Sequence, residues 1–203
     1  MSDPLTPPED STTAPLGGTA APTSTPRIIE YPGIYHQPRA GAPIRLVVIH
    51  ATAGTNSLSW LASSPSNTGK VSAHALVTKA GTIYRIVPDD LAANHCGFSR
   101  VTLDGTTYTG SSRPNINQVS LGVELENRND GRDPHPDAQI AALGWLLADW
   151  QRRLGELPLY FHRDIDTKGK TDPAGLTWAR VRAAMAAWAS PPPGQPKNTA
   201  SGP

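Results

Sequence analysis

Residues 45–50 read Arg-Leu-Val-Val-Ile-His, and this stretch decides the fold. Its four consecutive apolar side chains fall on both faces of an extended chain, which is typical of a strand covered on both sides in the middle of a sheet. His50 ends this strand, and residues 51–54 turn the chain at the edge of the sheet. Because open sheets bind ligands at such edges, His50 is a candidate functional residue. A hydrogen-bonded core histidine is the other interpretation of this position.

Three further segments have the pattern of strands. Residues 73–78 and 82–87 flank a turn that contains glycine, as in a hairpin. Residues 119–126 alternate large apolar side chains with small or acidic ones. Since side chains alternate between the faces of a strand, this pattern puts Glu124 and Glu126 on the same face.

Two amphipathic helices follow these strands. Apolar residues recur at helical spacing over residues 140–154 and again over residues 178–188. We expect Asp137 to cap the first helix and Thr177 to cap the second. The order of elements predicts an α/β fold in which helices flank a central mixed β-sheet.

The composition limits the possible classes of protein. A chain of 203 residues with 37% hydrophobic residues suits one domain with one core. A net charge of +1 and a charged fraction of 17% leave no basic stripe for a phosphate backbone, so we expect no nucleic-acid partner. A single cysteine, Cys96, excludes an internal disulfide. No apolar run reaches 18 residues, so we expect no membrane span, and we expect a monomer.

Proline, threonine and small residues dominate both ends of the chain. Residues 1–27 are expected to form a disordered arm and residues 190–203 a disordered tail, which leaves a folded domain at 28–189. The first ten residues have neither a basic start nor an apolar stretch. We therefore expect no signal peptide and synthesis in the cytoplasm.

A second histidine has the same setting as the first. His162 follows the short apolar run 157–161 and begins a polar segment that contains Gly169 and Asp172. A loop of this kind can fold back and bring Asp172 beside His162. Two imidazoles and a carboxylate from distant parts of the chain suit a catalytic zinc ion with one open coordination position. A solvated, charged surface loop is the alternative interpretation of residues 162–173.

Five sequence blocks together resemble one protein family. They are Val48-Ile49-His50, Val71-Ser72-Ala73-His74-Ala75-Leu76-Val77, Asn94-His95-Cys96-Gly97, Ser120-Leu121-Gly122-Val123-Glu124-Leu125-Glu126-Asn127, and His162-Arg163-Asp164-Ile165 with Lys170-Thr171-Asp172-Pro173. In this order they resemble the zinc-dependent N-acetylmuramoyl-L-alanine amidases of the amidase-2 family. That family shares its fold with peptidoglycan recognition proteins and includes phage endolysins and muropeptide amidases.

The resemblance implies an active site. It makes His50, His162 and Asp172 the ligands of one Zn²⁺ per chain, and Glu124 and Lys170 the catalytic residues. Glu126 is the competing glutamate. Some phage members carry a tyrosine where this chain has Ala73, so the mechanism here depends on Glu124.

The resemblance also gives His95 a place near the cleft wall. At this position it could bind substrate, and a packing or hydrogen-bonding role is equally compatible with the sequence. Cys96 matches no ligand of the family, and a buried inert thiol is the better interpretation of it.

The implied activity is hydrolysis of the amide bond between N-acetylmuramic acid and L-alanine in peptidoglycan. A bacteriolytic, phage-type endolysin or autolysin would act on the cell wall after release, whereas a cytoplasmic recycling amidase would act on muropeptides. A peptidoglycan-binding module without activity is the alternative from another class. A zinc hydrolase of the same fold that cleaves a different amide is a further alternative.

Overall fold

The computed structural model describes residues 24–189. Residues 1–23 and 190–203, which include most of the expected arm and the whole of the expected tail, lie outside the described residues. The strands are β1 (Ile28–Glu30), β2 (His36–Pro38), β3 (Leu46–Ala51), β4 (Ala75–Val77), β5 (Ile83–Arg85), β6 (Leu91–Ala93), β7 (Arg100–Leu103), β8 (Thr106–Thr109), β9 (Ser120–Leu125) and β10 (Leu159–Phe161). The helices are α1 (Leu58–Ala62), α2 (Asp137–Leu154), α3 (His162–Ile165) and α4 (Trp178–Ala189), with a 3₁₀ helix at Ile116–Val119.

The predicted mixed sheet is confirmed. Six strands pair in the order β1-β5-β4-β9-β3-β10, and only β4 and β5 run antiparallel to each other. β3 and β9 lie inside the sheet and are buried along their whole length, as the apolar pattern of residues 45–50 predicts. Because β3, β9 and β10 are parallel, their carboxyl ends meet at one edge of the sheet.

The two faces of the sheet have different partners. One face of β3 and β9 packs against the long helices in a core that contains Val47, Ile49, Leu121, Val123, Leu125, Leu143, Leu147, Trp150 and Val181. On the opposite face, a second cluster contains Leu46, Val48, Cys96, Val101 and Ile116. Alternation along the strands puts His50 and Glu124 on this second face. The long helices thus cover one face of the sheet, and the candidate residues His50 and Glu124 lie on the other face.

Two local expectations have different outcomes. Asp137 does not cap α2: it is the first residue of the helix, after Pro136, and its carboxylate accepts a hydrogen bond from Arg180 (2.8 Å). Thr177 precedes α4, and its hydroxyl accepts a hydrogen bond from the amide of Arg180 (3.4 Å), as a capping side chain does. Pro136 precedes the helix, and its ring restricts the backbone at this position. The helix therefore begins without a side-chain cap.

Within residues 24–189, no helix combines the length and the apolar character that a membrane crossing requires.

Candidate metal centre

The register of the parallel strands brings the candidate residues together. His50 on β3 is the direct partner of Glu124 on β9, so their side chains lie on the same face at the same edge. Phe161, the last residue of β10, is the partner of Ile49, and His162 therefore comes next to His50. The two imidazole rings have centroids 4.4 Å apart, and both are buried.

Arg163 explains why Asp172 folds back onto His162. Its backbone amide donates a hydrogen bond to the carbonyl of Asp172 (2.9 Å). Its guanidinium donates to the carbonyls of Pro173 and Leu176, the latter at 2.9 Å. The same guanidinium lies over the ring of Phe161, 4.2 Å from its centroid, and is thereby held against the end of β10. These contacts of Arg163 hold Asp172 in place, although residues 167–171 of the same segment are exposed to solvent.

The three expected ligands form a compact group. The carboxylate of Asp172 lies 3.0 Å from Nδ1 of His162 and 3.3 Å from Nδ1 of His50. Distances of this length are compatible with hydrogen bonds and with ligands arranged around a common cation. Tetrahedral ligands at zinc bond lengths are themselves about 3.3 Å apart. The donor types and their spacing therefore fit a divalent metal ion, and all three residues are buried.

The charges in this group are strongly displaced from their ordinary state. Burial opposes ionisation of Asp172, but the interactions of its carboxylate with His162 and His50 outweigh burial and hold its pKa well below the usual range. Burial lowers the pKa of His50 to about 4, although the nearby carboxylate partly opposes the change. The site therefore offers an anion and a neutral imidazole, the forms in which these side chains bind a metal.

Glu124 is the carboxylate without a full set of partners. Its Oε2 atom is buried and has no hydrogen-bond partner among the described residues. Burial, together with the charge of Asp172, raises the pKa of Glu124 to about 8, while Lys170 opposes the rise. Such a carboxyl group can take up and release a proton near neutral pH.

Glu126 has a different environment from Glu124. It lies one residue beyond the end of β9, and its oxygens accept hydrogen bonds from the amides of Asn56 (3.3 Å) and Lys79 (3.4 Å). Since β9 ends at Leu125, the predicted shared face of Glu124 and Glu126 stays a prediction. The carboxylate of Glu126 thus contacts the loop at Asn56 and the turn at Lys79.

Lys170 lies on the exposed loop between His162 and Asp172. Its backbone amide donates to the carboxylate of Asp166 (2.9 Å), which fixes the loop. Its charge lowers the pKa of both His50 and Glu124, so its ammonium group acts on both residues electrostatically.

His95 does not stand on an open cleft wall. It is 7% exposed, and its Nδ1 atom lies 3.0 Å from Nε2 of His50. Its Nε2 atom lies 3.0 Å from the hydroxyl of Ser120. Because both ring nitrogens contact protein atoms, the position favours the hydrogen-bonding role over the substrate-binding role expected from the sequence.

A second group of possible ligands shares His50. The thiol of Cys96 lies 3.0 Å from Nδ1 of His95 and 4.0 Å from Nε2 of His50. Burial raises the pKa of Cys96, and neighbouring acidic groups add to the effect. Since a thiol must lose its proton to bind a metal, this group is the weaker candidate.

Sequence reasoning missed Arg163 and Ser120 as residues that support the centre. Arg163 acts through contacts with residues about ten positions away, and nothing local marks such a role. Ser120 had a usable signal: it shares the alternating face of β9 with Gly122 and Glu124. A small polar residue on the catalytic face of a buried strand is unusual enough to be a candidate.

Comparisons with known proteins agree with this geometry. The sequence pattern of the Amidase_2 family, N-acetylmuramoyl-L-alanine amidase, matches residues 40–175. The 1,6-anhydro-N-acetylmuramyl-L-alanine amidase AmpD of Escherichia coli (strain K12) is 36% identical over 119 residues, which make up 56% of this chain and 57% of AmpD. The chain thus spans little more than half the length of this curated relative.

Solved structures give the same result. A crystal structure of selenomethionine AmpD superposes with a TM-score of 0.62 at 24% identity, over 79% of this chain and 94% of AmpD. The amidase AmiD of Escherichia coli, solved with anhydro-N-acetylmuramic acid-L-Ala-D-gamma-Glu-L-Lys, gives a TM-score of 0.58 at 30% identity, over 73% of this chain and 60% of AmiD. The family match covers more than half of the 203 residues and the fold is shared, so the chain belongs to the amidase-2 family of N-acetylmuramoyl-L-alanine amidases.

Proposed function

We propose that this chain is a zinc-dependent N-acetylmuramoyl-L-alanine amidase that hydrolyses the amide bond between N-acetylmuramic acid and L-alanine. The observation that carries the proposal is the buried group of His50, His162 and Asp172 beside the unpartnered carboxyl oxygen of Glu124. Family membership supports the bond type, because AmpD and AmiD are named for this amidase activity.

His50, His162 and Asp172 would hold the metal. When bound, a zinc ion supplies Lewis-acid chemistry, which makes water at the site more acidic and the scissile carbonyl more electrophilic. The role of this chain's residues is to supply two imidazole nitrogens and one carboxylate at the correct spacing. Asp172 contributes the negative charge that favours a dication over a proton at neutral pH.

Glu124 handles protons in this proposal. It lies at the level of His50 on the adjacent strand, and a pKa of about 8 lets its carboxyl group accept a proton from water and return it to the departing amine. Lys170 carries a positive charge close enough to lower the pKa of Glu124, and it would stabilise negative charge on the carbonyl oxygen during attack.

The test is digestion of purified peptidoglycan and of an anhydro-muropeptide, followed by mass spectrometry. The muropeptide is included because AmpD is named for, and AmiD was solved with, a 1,6-anhydro compound. Free stem peptides that begin with L-alanine are the expected product, and their formation should stop with a chelator and resume with added zinc. Cleavage of glycan or of peptide cross-links, or binding without any cleavage, would overturn the proposal.

The choice of substrate separates the two biological settings. Faster release from intact peptidoglycan would support an endolysin or autolysin, and faster release from the anhydro-muropeptide would support a recycling amidase. Zinc content, measured on the purified chain by elemental analysis, should be close to one ion per chain.

A further inference from the structure

We propose that Ser120 and His95 are positioning residues for the metal ligand His50: they keep its proton on Nε2 and turn the Nδ1 lone pair toward the metal centre. This inference rests on the proposed function, since it concerns how one ligand of the proposed zinc site is prepared. Neither residue would touch substrate.

The direction of each hydrogen bond follows from the backbone carbonyl at which this series of hydrogen bonds ends. The backbone carbonyl of Ile116 can only accept, so the hydroxyl of Ser120, 2.7 Å away, donates to it. A serine hydroxyl has one proton, and toward Nε2 of His95 it must therefore accept (3.0 Å). Nε2 of His95 thus carries the proton of that ring.

The same logic continues to the metal ligand. A neutral imidazole that is protonated on Nε2 accepts at Nδ1, and Nδ1 of His95 lies 3.0 Å from Nε2 of His50. His50 therefore donates from Nε2, which leaves its Nδ1 atom free for the metal, 3.3 Å from the carboxylate of Asp172. The thiol of Cys96 also lies 3.0 Å from Nδ1 of His95, but the single lone pair of this nitrogen is the acceptor for His50 in this assignment.

The strands are built to hold His95 in this place. Gly122 lies between Ser120 and Glu124 on the same face of β9, and a Cβ atom there would come within 2.6 Å of Cγ and Nδ1 of His95. The ring thus occupies space that only a glycine leaves open. Asn117 holds the backbone from the other side, where its Oδ1 atom accepts hydrogen bonds from the amides of His95 (3.2 Å) and Cys96 (2.8 Å).

The expected consequence is measurable in metal binding. An outer hydrogen bond of this kind fixes the tautomer and orientation of a ligating histidine, and its removal typically weakens metal binding by about 10–100-fold. Without His95 as an acceptor, the Nε2 proton of His50 would be buried without a partner, and the tautomer with the proton on Nδ1 would compete with the metal.

The experiment compares two matched variants by zinc competition against a chromophoric chelator at pH 7. His95→Phe keeps an aromatic ring without an acceptor and should weaken zinc binding by about 10–100-fold. His95→Asn keeps an oxygen acceptor near the position of Nδ1 and should restore affinity to within a few fold of the wild type. Unchanged affinity in His95→Phe, or an equal loss in both variants that fold as judged by circular dichroism, would overturn the inference.

A second measurement keeps the test valid if His95→Phe does not fold. Ser120→Ala removes the acceptor for Nε2 of His95 and should also weaken zinc binding, by several fold or more. In the wild type, ¹⁵N-resolved NMR of the histidine rings should find His95 protonated on Nε2 in the metal-free protein. A proton on Nδ1 of His95 would contradict the direction assigned to the hydrogen bonds between His50, His95 and Ser120. Failure of the wild type to bind zinc would overturn the proposed function instead, and the NMR result would still decide on the hydrogen-bond chain.

Discussion

Glu124 and Asp172 share one buried centre, yet their pKa values are displaced in opposite directions. Burial alone would raise both values. At Asp172, interactions with the two histidines outweigh burial, and the group stays ionised. At Glu124, one oxygen has no hydrogen-bond partner within residues 24–189, and burial raises the pKa to about 8. Because their pKa values lie far apart, Asp172 can act as a permanent anion while Glu124 accepts and releases a proton.

This division predicts the effect of Glu124→Gln. The amide keeps the size of the side chain but cannot carry the proton, so kcat should fall by about 10²–10⁴-fold, the usual contribution of a general acid/base. The three metal ligands are untouched, and zinc content should stay near that of the wild type. Release of stem peptide, followed by chromatography, and elemental analysis of the same sample measure the two effects.

Glu126→Gln is the matched control for this prediction. The side-chain oxygens of Glu126 accept hydrogen bonds from the backbone amides of Asn56 and Lys79, and within residues 24–189 they form no hydrogen bond with a metal ligand. Its variant should keep kcat within a few fold of the wild type. A large loss in Glu126→Gln with little loss in Glu124→Gln would show that the wrong glutamate carries the proton.

At the scale of elements, the sequence predicts what repeats along the chain and misses what depends on distant contacts. Alternation in residues 119–126 is enough to orient Glu124, and the apolar runs before His50 and His162 are enough to place both at one sheet edge. The hairpin of β7 and β8 was not predicted from the sequence. The place of His95 depends on the space over Gly122, which no local pattern shows.

Gly144 on α2 lies directly against the backbone of Ala184 on α4. A Cβ atom at this position would lie 2.5 Å from the carbonyl carbon of Ala184 and 2.6 Å from its oxygen. Alanine in a helix is favoured over glycine by about 1 kcal/mol. The overlap is with backbone, however, so the helices must move apart, and overpacking of this kind costs about 1–3 kcal/mol. We expect Gly144→Ala to lower the free energy of unfolding.

Urea denaturation of Gly144→Ala measures this balance, and Gly69→Ala is its control. A Cβ atom at Gly69 would make only an ordinary contact, 3.6 Å from the side chain of Val71. The control should change the free energy of unfolding by no more than about 0.5 kcal/mol. Stabilisation in Gly144→Ala would mean that helix propensity outweighs the overlap and that α2 and α4 are less tightly packed than the distances indicate.

Across the whole molecule, a buried guanidinium connects elements that are far apart in sequence. Arg39 is 7% exposed and donates hydrogen bonds to the carbonyls of Asp89 (2.8 Å), Gln118 (2.7 Å) and Ser120 (3.0 Å). It joins the segment after β2 to the segment before β6, to the 3₁₀ helix and to β9. Burial lowers its pKa to about 10, while Asp89 and Asp90 oppose the change. Arg39 therefore remains charged at neutral pH.

His74 lies against this guanidinium and must stay neutral. The amide of Gly122 donates to its Nδ1 atom (2.9 Å), so the neutral ring carries its proton on Nε2 and can donate to the carbonyl of Leu91 (3.1 Å). Nη2 of Arg39 is 3.0 Å from the same Nε2 atom. Burial, and then the charge of Arg39, lower the pKa of His74 to about 4.

Stability of the metal-free protein should therefore fall in acid through His74. The unfolded chain binds a proton at a pKa of about 6.5, whereas the folded ring does so only near 4. The contribution of His74 is complete above pH 6.5 and is lost as the pH falls toward 4. It amounts to a slope of at most about 1.4 kcal/mol per pH unit, and to a total on the order of 3 kcal/mol. Urea denaturation with a chelator, from pH 7 to pH 4, should give a shallower slope for His74→Gln than for the wild type. Parallel curves for the two proteins would mean that His74 is protonated as readily in the folded chain as in the unfolded one.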